Sequence, residues 1–227
     1  MSSYEDAFVE PLFSIPIFRF NIKHVENFIF PLVKKINHHL NLESFNGENV
    51  SKLLTVEDNV LLSKELEFIK QEVYKNSRLF LYDVLSIQKD IKFRIVDSWI
   101  VALKPGGEST LHNHSYSYIS GVIYLDVSET DSITFGNPLY NPGSGIFNQI
   151  ITDFSPQVCN KYNSSNWTFY PKNSEGFLFL SSVAHRINKN VSNKNRISIA
   201  FNIMPTGLIS TQVANRLNIR ENDVETI

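Results

Sequence analysis

Phe93-Arg94-Ile95-Val96-Asp97-Ser98-Trp99-Ile100-Val101-Ala102-Leu103, closed by Lys104-Pro105-Gly106-Gly107, marks the change of period that decides the fold. Upstream of it, Val25, Phe28, Ile29, Leu32, Val33 and Ile36 recur at three- and four-residue intervals, which predicts a helix over 24–40. A second helical pattern runs from about Leu61 to Ile87. Downstream, strand-like runs follow at 109–114, 118–127, 132–135, 149–154, 166–170, 176–180, 185–187 and 196–204, separated by Gly, Pro and Asn clusters. Many short strands of this kind predict a sandwich or barrel. The fold expected is mainly β with N-terminal helices: a single domain over 1–227. Its parts are an N-terminal strand and helices (1–90), a β-barrel core (91–204) and a C-terminal extension (205–227) with room for a short helix. Pro16 within Pro11–Phe20 suggests an edge strand. The stretch from Gly136 to Asn166 reads as a long loop over the barrel mouth.

Bulk composition removes several classes of function. Hydrophobic residues make up 42% and charged residues 19%, a balance that supports one sizeable core. A net charge of −2 offers no basic field for a nucleic-acid backbone, so no nucleic-acid partner is expected. The single cysteine, Cys159, forms no intramolecular disulfide and no thiolate cluster. No apolar run approaches the ~18 residues of a membrane span, and the first residues lack the pattern of a signal peptide. A reducing cytoplasm is the expected compartment.

The chemistry is concentrated in a few residues. In Gly106-Gly107-Glu108-Ser109-Thr110-Leu111-His112-Asn113-His114, turn glycines lead into a strand candidate whose alternate positions are histidines. Residues i and i+2 of a strand share a face, so His112 and His114 can grip one ion together. Gly176-Phe177-Leu178-Phe179-Leu180-Ser181-Ser182-Val183-Ala184-His185 is an apolar strand and a small-residue turn ending in a third histidine. Arg196 then opens Arg196-Ile197-Ser198-Ile199-Ala200-Phe201-Asn202. Each element alone has an ordinary structural reading; their order and spacing together predict a mononuclear metal site beside an organic carboxylate. Neutral imidazole suits Fe(II), Zn, Cu and Ni alike, so residue type leaves the metal open.

These motifs, with Leu12-Phe13-Ser14-Ile15-Pro16-Ile17 and Ser120-Gly121-Val122-Ile123-Tyr124-Leu125, resemble the Fe(II)/2-oxoglutarate-dependent oxygenase superfamily, and more narrowly a group common in marine bacteria and phages. The resemblance implies a double-stranded β-helix (a jelly roll, cupin-like barrel) and a dioxygenase using Fe(II), 2-oxoglutarate and O2. It further implies metal and catalytic ligands His112, His114 and His185, with hydroxylation and release of succinate and CO2 as the default outcome. Arg196 would hold the distal carboxylate of 2-oxoglutarate through its planar fork, with Ser198 and Tyr124 as hydroxyl donors. One departure is that His114 occupies the superfamily's usual carboxylate position. Because that position is filled rather than vacated by Ala or Gly, a halogenase is disfavoured. The alternative is a nearby carboxylate, Asp126 or Glu108, as third ligand.

Other residues have blander readings. Trp99 is expected in the core; Tyr116 and Tyr118 are placed at the substrate entrance or as plain strand aromatics. Ser198 and Tyr124 also read as an ordinary strand serine and a core tyrosine. Asn202 either bonds within the barrel or faces the co-substrate. His24, His38 and His39 are read as surface residues. The rival functions are a cupin-type metal enzyme without 2-oxoglutarate and a metal-free ligand-binding β-barrel. A cupin would carry a glutamate near Tyr118 or Ile119 and has no need of Arg196. The substrate expected is a small molecule or a peptide, and a homo-oligomer is compatible with the sequence.

Overall fold

A computed structural model of the protein describes residues 13–23, 26–42, 59–139, 160–162, 164–208 and 218–219. The elements in chain order are β1 (Ile17–Asn21), α1 (Glu26–Leu42), α2 (Glu67–Arg78), β2 (Lys92–Leu103), β3 (Ile119–Asp126), β4 (Ile133–Gly136), β5 (Asn166–Phe169), β6 (Glu175–Leu180), β7 (His185–Ile187), β8 (Arg196–Leu208) and β9 (Asn218–Ile219). A major antiparallel sheet has the order β1-β6-β3-β8-β2, with β9 pairing the end of β8, and a minor sheet has the order β5-β4-β7. β1 is therefore an edge strand, the position Pro16 suggests. These two sheets form the double-stranded β-helix, and the helices pack on the outer face of the major sheet.

Strand alternation explains both cores. Along β8, Ile197, Ile199, Phe201 and Ile203 point to the helix side and join Ile36, Leu61, Leu66, Ile69, Val73 and Phe80 in one buried cluster. The intervening Arg196, Ser198, Ala200 and Asn202 occupy the opposite face, toward the space between the sheets. There Val122, Tyr124, Ile133, Phe135, Phe177 and Phe179 make the second core. Because β8 runs between β2 and β3, its inward residues are flanked on both sides: Ser198 sits opposite Val101 and Tyr124, and Asn202 opposite Ser120. A charged or polar side chain on a central strand is thus committed to the barrel interior.

Three expectations need correction. First, 109–114 is not a regular strand: within it only His112 pairs as a bridge, with His185. The Thr110 carbonyl is engaged by His112 Nδ1 at 2.8 Å, so a side chain takes an oxygen that a ladder would use. Second, the helix expected over 61–87 is divided. Ser63 is extended (φ −70°, ψ 144°) between two 3-10 turns, and α2 passes at Leu79 into a π-helical turn ending at Val84. Third, 205–208 are not helical but continue β8. The strand expected over 149–154 lies outside the described residues, as do His24 and Cys159.

Two glycines position the site. Gly106 (φ 86°) adopts a conformation that side chains disfavour, and its N–H reaches the Asn190 carbonyl at 2.7 Å. Asn190 Nδ2 in turn donates to the Leu103 carbonyl at 3.1 Å, tying the end of β2 to the turn before Arg196. Gly121 lets Phe201 pack directly on β3; a Cβ there would overlap Phe201 Cζ. Gly121→Ala is accordingly expected to destabilise the fold by roughly 1–3 kcal/mol, the usual result of overpacking. The midpoint of urea unfolding measures this; an unchanged midpoint would contradict the packing described.

Candidate active site

His112, His114 and His185 converge: one ligand nitrogen from each lies within 4.8 Å of the others. Ring centroids are 4.5 Å apart for His112 and His185, 5.1 Å for His114 and His185, and 5.4 Å for His112 and His114. The β7 bridge brings His185 beside His112. The His114 N–H donates to the Ser181 carbonyl at 3.1 Å, turning the chain so that the third ring faces the other two.

Each imidazole spends its Nδ1 on an oxygen outside the trio. His112 Nδ1 faces the Thr110 carbonyl at 2.8 Å, His114 Nδ1 faces Asn202 Oδ1 at 2.8 Å, and His185 Nδ1 faces the Val183 carbonyl at 3.2 Å. Those acceptors favour the Nδ1–H tautomer and leave a lone pair on each Nε2, the disposition of imidazoles that bind a metal. Apolar neighbours hold the rings in place. Phe179 meets His185 edge-on at 4.7 Å, and Trp99 stacks on His114 at 5.9 Å. A neutral three-nitrogen donor set fits Fe(II), among other borderline divalent ions.

Burial favours the neutral form of His185 and His114. It pushes His185 down to about 4 from an ordinary 6.5, against a partial pull upward from the Val183 carbonyl. His114 is lowered as well, by burial first, with the Asn202 hydrogen bond opposing. An unfolded chain takes up imidazole protons near 6.5, whereas folded His185 does so only near 4. The unfolded state thus binds more protons throughout that interval. Stability of the metal-free protein is expected to be fullest above pH 6.5 and to fall as pH drops toward 4, by at most about 3 kcal/mol for His185. Urea midpoints across this range test it: His185→Gln should flatten the slope, and an equal slope in that variant would contradict it.

Beside the imidazoles lies a cavity of about 270 Å³, lined among others by Trp99, Val122, Tyr124, Ile133, Ser198 and Ala200 together with all three histidines. Arg196, 1% exposed, packs its guanidinium 5.0 Å from the centre of the Tyr124 ring. Its Nη1 donates to the Ser132 carbonyl at 3.1 Å, while Nε and Nη2 have no hydrogen-bond partner among the described residues. The buried Tyr124 hydroxyl meets the geometry of no hydrogen bond either, and burial pushes that phenol up to about 12 against the downward pull of the neighbouring Arg196 guanidinium, so it remains a donor. A buried guanidinium without a carboxylate is costly, and two free N–H groups define what would relieve it: an anion.

Among the residues named from sequence, the structure gathers His112, His114, His185, Tyr124 and Ser198 around this cavity, with Arg196 against Tyr124. The carboxylate alternatives do not reach it: Asp126 pairs with Lys194 at 2.7 Å, and Glu108 is exposed. Trp99, expected in the core, lines the cavity. Tyr118 packs on Phe93 at 5.7 Å, on the helix side, and Tyr116 is 93% exposed. Sequence reasoning missed Ser117, Ser120 and Ser181, which surround Asn202. The only signal for Ser120 was its position on the same face as Tyr124. A larger cavity of about 480 Å³, between Ile17, Leu139, Trp167 and Phe169, includes none of the histidines and is not the site of this chemistry.

Residues 97–202, which contain all three histidines and Arg196, match the family described as "Putative 2OG-Fe(II) oxygenase". No protein of curated function matches the chain by sequence. Solved structures match the fold. The non-heme alpha ketoglutarate dependent epimerase SnoN from nogalamycin biosynthesis is 12% identical, covering 85% of this chain and 77% of that one at a TM-score of 0.57. HygX from Streptomyces hygroscopicus, solved with nickel and 2-oxoglutarate bound, is 10% identical over 85% and 83%, TM-score 0.52. A prolyl-4-hydroxylase of Pseudomonas putida is 10% identical over 83% and 93%, TM-score 0.50. The chain also spans 58% of a 2OG-Fe(II) oxygenase family oxidoreductase from Burkholderia pseudomallei, with 63% of this chain covered at 12% identity and a TM-score of 0.44. What these structures share with the chain is the fold, a double-stranded β-helix. Over residues 97–202, just under half of the chain, the sequence is thus similar to the 2OG-Fe(II) oxygenase family.

Proposed function

We propose that the protein is a dioxygenase that hydroxylates an organic substrate, with His112, His114 and His185 as metal ligands and Arg196, Ser198 and Tyr124 as the 2-oxoglutarate cradle. One observation carries this reading: three imidazoles with outward-bonded Nδ1 atoms share a barrel with a buried guanidinium that has two N–H groups unpaired. When bound, Fe(II), 2-oxoglutarate and O2 supply the oxidising power for C–H hydroxylation, with succinate and CO2 as co-products.

The chain's own residues bind, orient and exclude water. Arg196 offers two parallel N–H donors to a carboxylate, and the Tyr124 and Ser198 hydroxyls add single donors from the flanking and same strands. Val122, Ile133, Phe179 and Ala200 make much of the remaining wall apolar, which limits water around the charge pairing and so strengthens it. With neutral His114 as third ligand, the site retains the ion's full double charge. A dianionic keto acid offsets that charge, which supports 2-oxoglutarate over a neutral co-substrate. A cupin without 2-oxoglutarate leaves Arg196 unexplained, and a metal-free barrel leaves the shared orientation of three imidazoles unexplained.

The prime substrate is a small molecule or a peptide, met at the side of the site where His112 is exposed. We place the protein in the cytoplasm on its single cysteine, and assign it no nucleic-acid partner on its charge. Among the described residues no helix is long and apolar enough to cross a membrane. The test is succinate formation from 2-oxoglutarate by Fe(II)-loaded protein across amino acids, peptides and small metabolites. Release that requires Fe(II), O2 and 2-oxoglutarate together supports the assignment; release indifferent to Fe(II) contradicts it.

A further inference from the structure

The geometry points to Asn202 as the positioning residue that makes His114 a metal ligand, by presenting an amide oxygen to the outer nitrogen of that ring. This inference rests on the reading of the three imidazoles as a metal site. Asn202 Oδ1 stands 2.8 Å from His114 Nδ1 and is also the acceptor for Ser120 Oγ at 2.9 Å. Asn202 and Ser120 are opposite one another in the β3–β8 register, and both are more than nine-tenths buried. Ser181, also buried, contacts Ser120 Oγ at 2.8 Å and Ser117 Oγ at 2.7 Å, and Ser117 can donate to the Ile119 carbonyl at 2.9 Å.

One proton assignment satisfies this group. Ser117 donates to Ser181, Ser181 to Ser120, and Ser120 to Asn202 Oδ1, so each of the three short oxygen–oxygen contacts carries one proton. The fourth donor is then His114 Nδ1–H, which fills the second lone pair of that oxygen. Reversing the amide would place an NH2 against His114 Nδ1 and move the ring's proton to Nε2, where it would block the metal. An oxygen at this point is therefore what the site needs. The other two imidazoles use backbone carbonyls, which cannot reverse; His114 alone depends on a side chain. That difference falls on the ligand that replaces the superfamily's carboxylate.

The test is titration of the metal-free full chain with Co(II), followed by calorimetry and by the visible absorption of the bound ion. Asn202→Leu, which keeps the volume but removes the oxygen, should weaken Co(II) binding by roughly 10- to 100-fold, the usual cost of losing an outer partner of a ligating histidine, and alter the spectrum. Asn202→Asp, which presents only oxygens, should bind at least as tightly as the unsubstituted chain. Should Asn202→Leu not fold, Ser120→Ala carries the test, with a loss smaller than tenfold expected and no loss overturning the proposal. His185→Ala separates the two levels. If it abolishes binding while Asn202→Leu binds and absorbs like the unsubstituted chain, the role of Asn202 is overturned and the metal site stands. If His185→Ala also binds normally, the metal site itself is overturned.

Discussion

His185→Ala is expected to reduce Fe(II) affinity by more than about 100-fold and to abolish 2-oxoglutarate turnover. The lower bound follows from magnitude. Loss of an outer partner of a ligating histidine already costs about 10- to 100-fold, and here the ligand itself is removed. His185 is also the most buried of the three, set between Phe179 and the bridge to His112, and among the described residues no fourth histidine, cysteine or carboxylate joins the cluster to substitute. The fold should survive, because β7 is held by backbone pairing with β4 and with His112. Iron content after reconstitution, with circular dichroism as the folding control, measures the effect. A variant that retains one iron per chain would mean that the histidines are not the metal's ligands.

Arg196→Ala is expected to weaken 2-oxoglutarate by about 2–5 kcal/mol, roughly 30- to 5000-fold, while leaving the metal in place. Removal of one member of a buried, hydrogen-bonded charge pair has that cost, and in the proposed complex the distal carboxylate would lose its partner. Arg196→Lys should recover only part, since an ammonium is a point charge without the two-pronged geometry. The same substitution discriminates a structural role. The guanidinium has one protein hydrogen bond, to the Ser132 carbonyl, and two N–H groups without a partner. Truncating it in the ligand-free protein should therefore cost little stability. A large fall in the urea midpoint with unchanged 2-oxoglutarate affinity would reassign Arg196 to the core.

Much of this was legible because β structure has a period of two. Alternation along 196–202 separates four inward residues from the apolar residues that cover the helices, and the inward set contains every β8 side chain the site uses. The histidine pair was read on the same principle, but the segment bends after His112 instead of continuing as a strand. Its rings converge because the His114 N–H is captured by Ser181, a contact between residues far apart in sequence. Ser117, Ser120 and Ser181 escaped for a related reason: they come from three places in the chain, and a serine carries no periodic signal. Trp99 was misplaced because an indole on a β-strand reads as core on either face. The irregularity between Ile95 and Asp97 shifts the register of β2, and its inward face then carries Trp99 and Val101 into the cavity. The break at Ser63 divides a continuous apolar pattern that periodicity alone reads as one helix.

Anaerobic titration of the Fe(II)-loaded protein with 2-oxoglutarate puts both halves of the site to one measurement. The visible charge-transfer band appears only when a keto acid chelates iron. A saturable band that vanishes in Arg196→Ala at the same ligand concentration is the expected result. An iron-loaded chain that stays colourless at every concentration of the keto acid would contradict the pairing of imidazoles and guanidinium at a single centre.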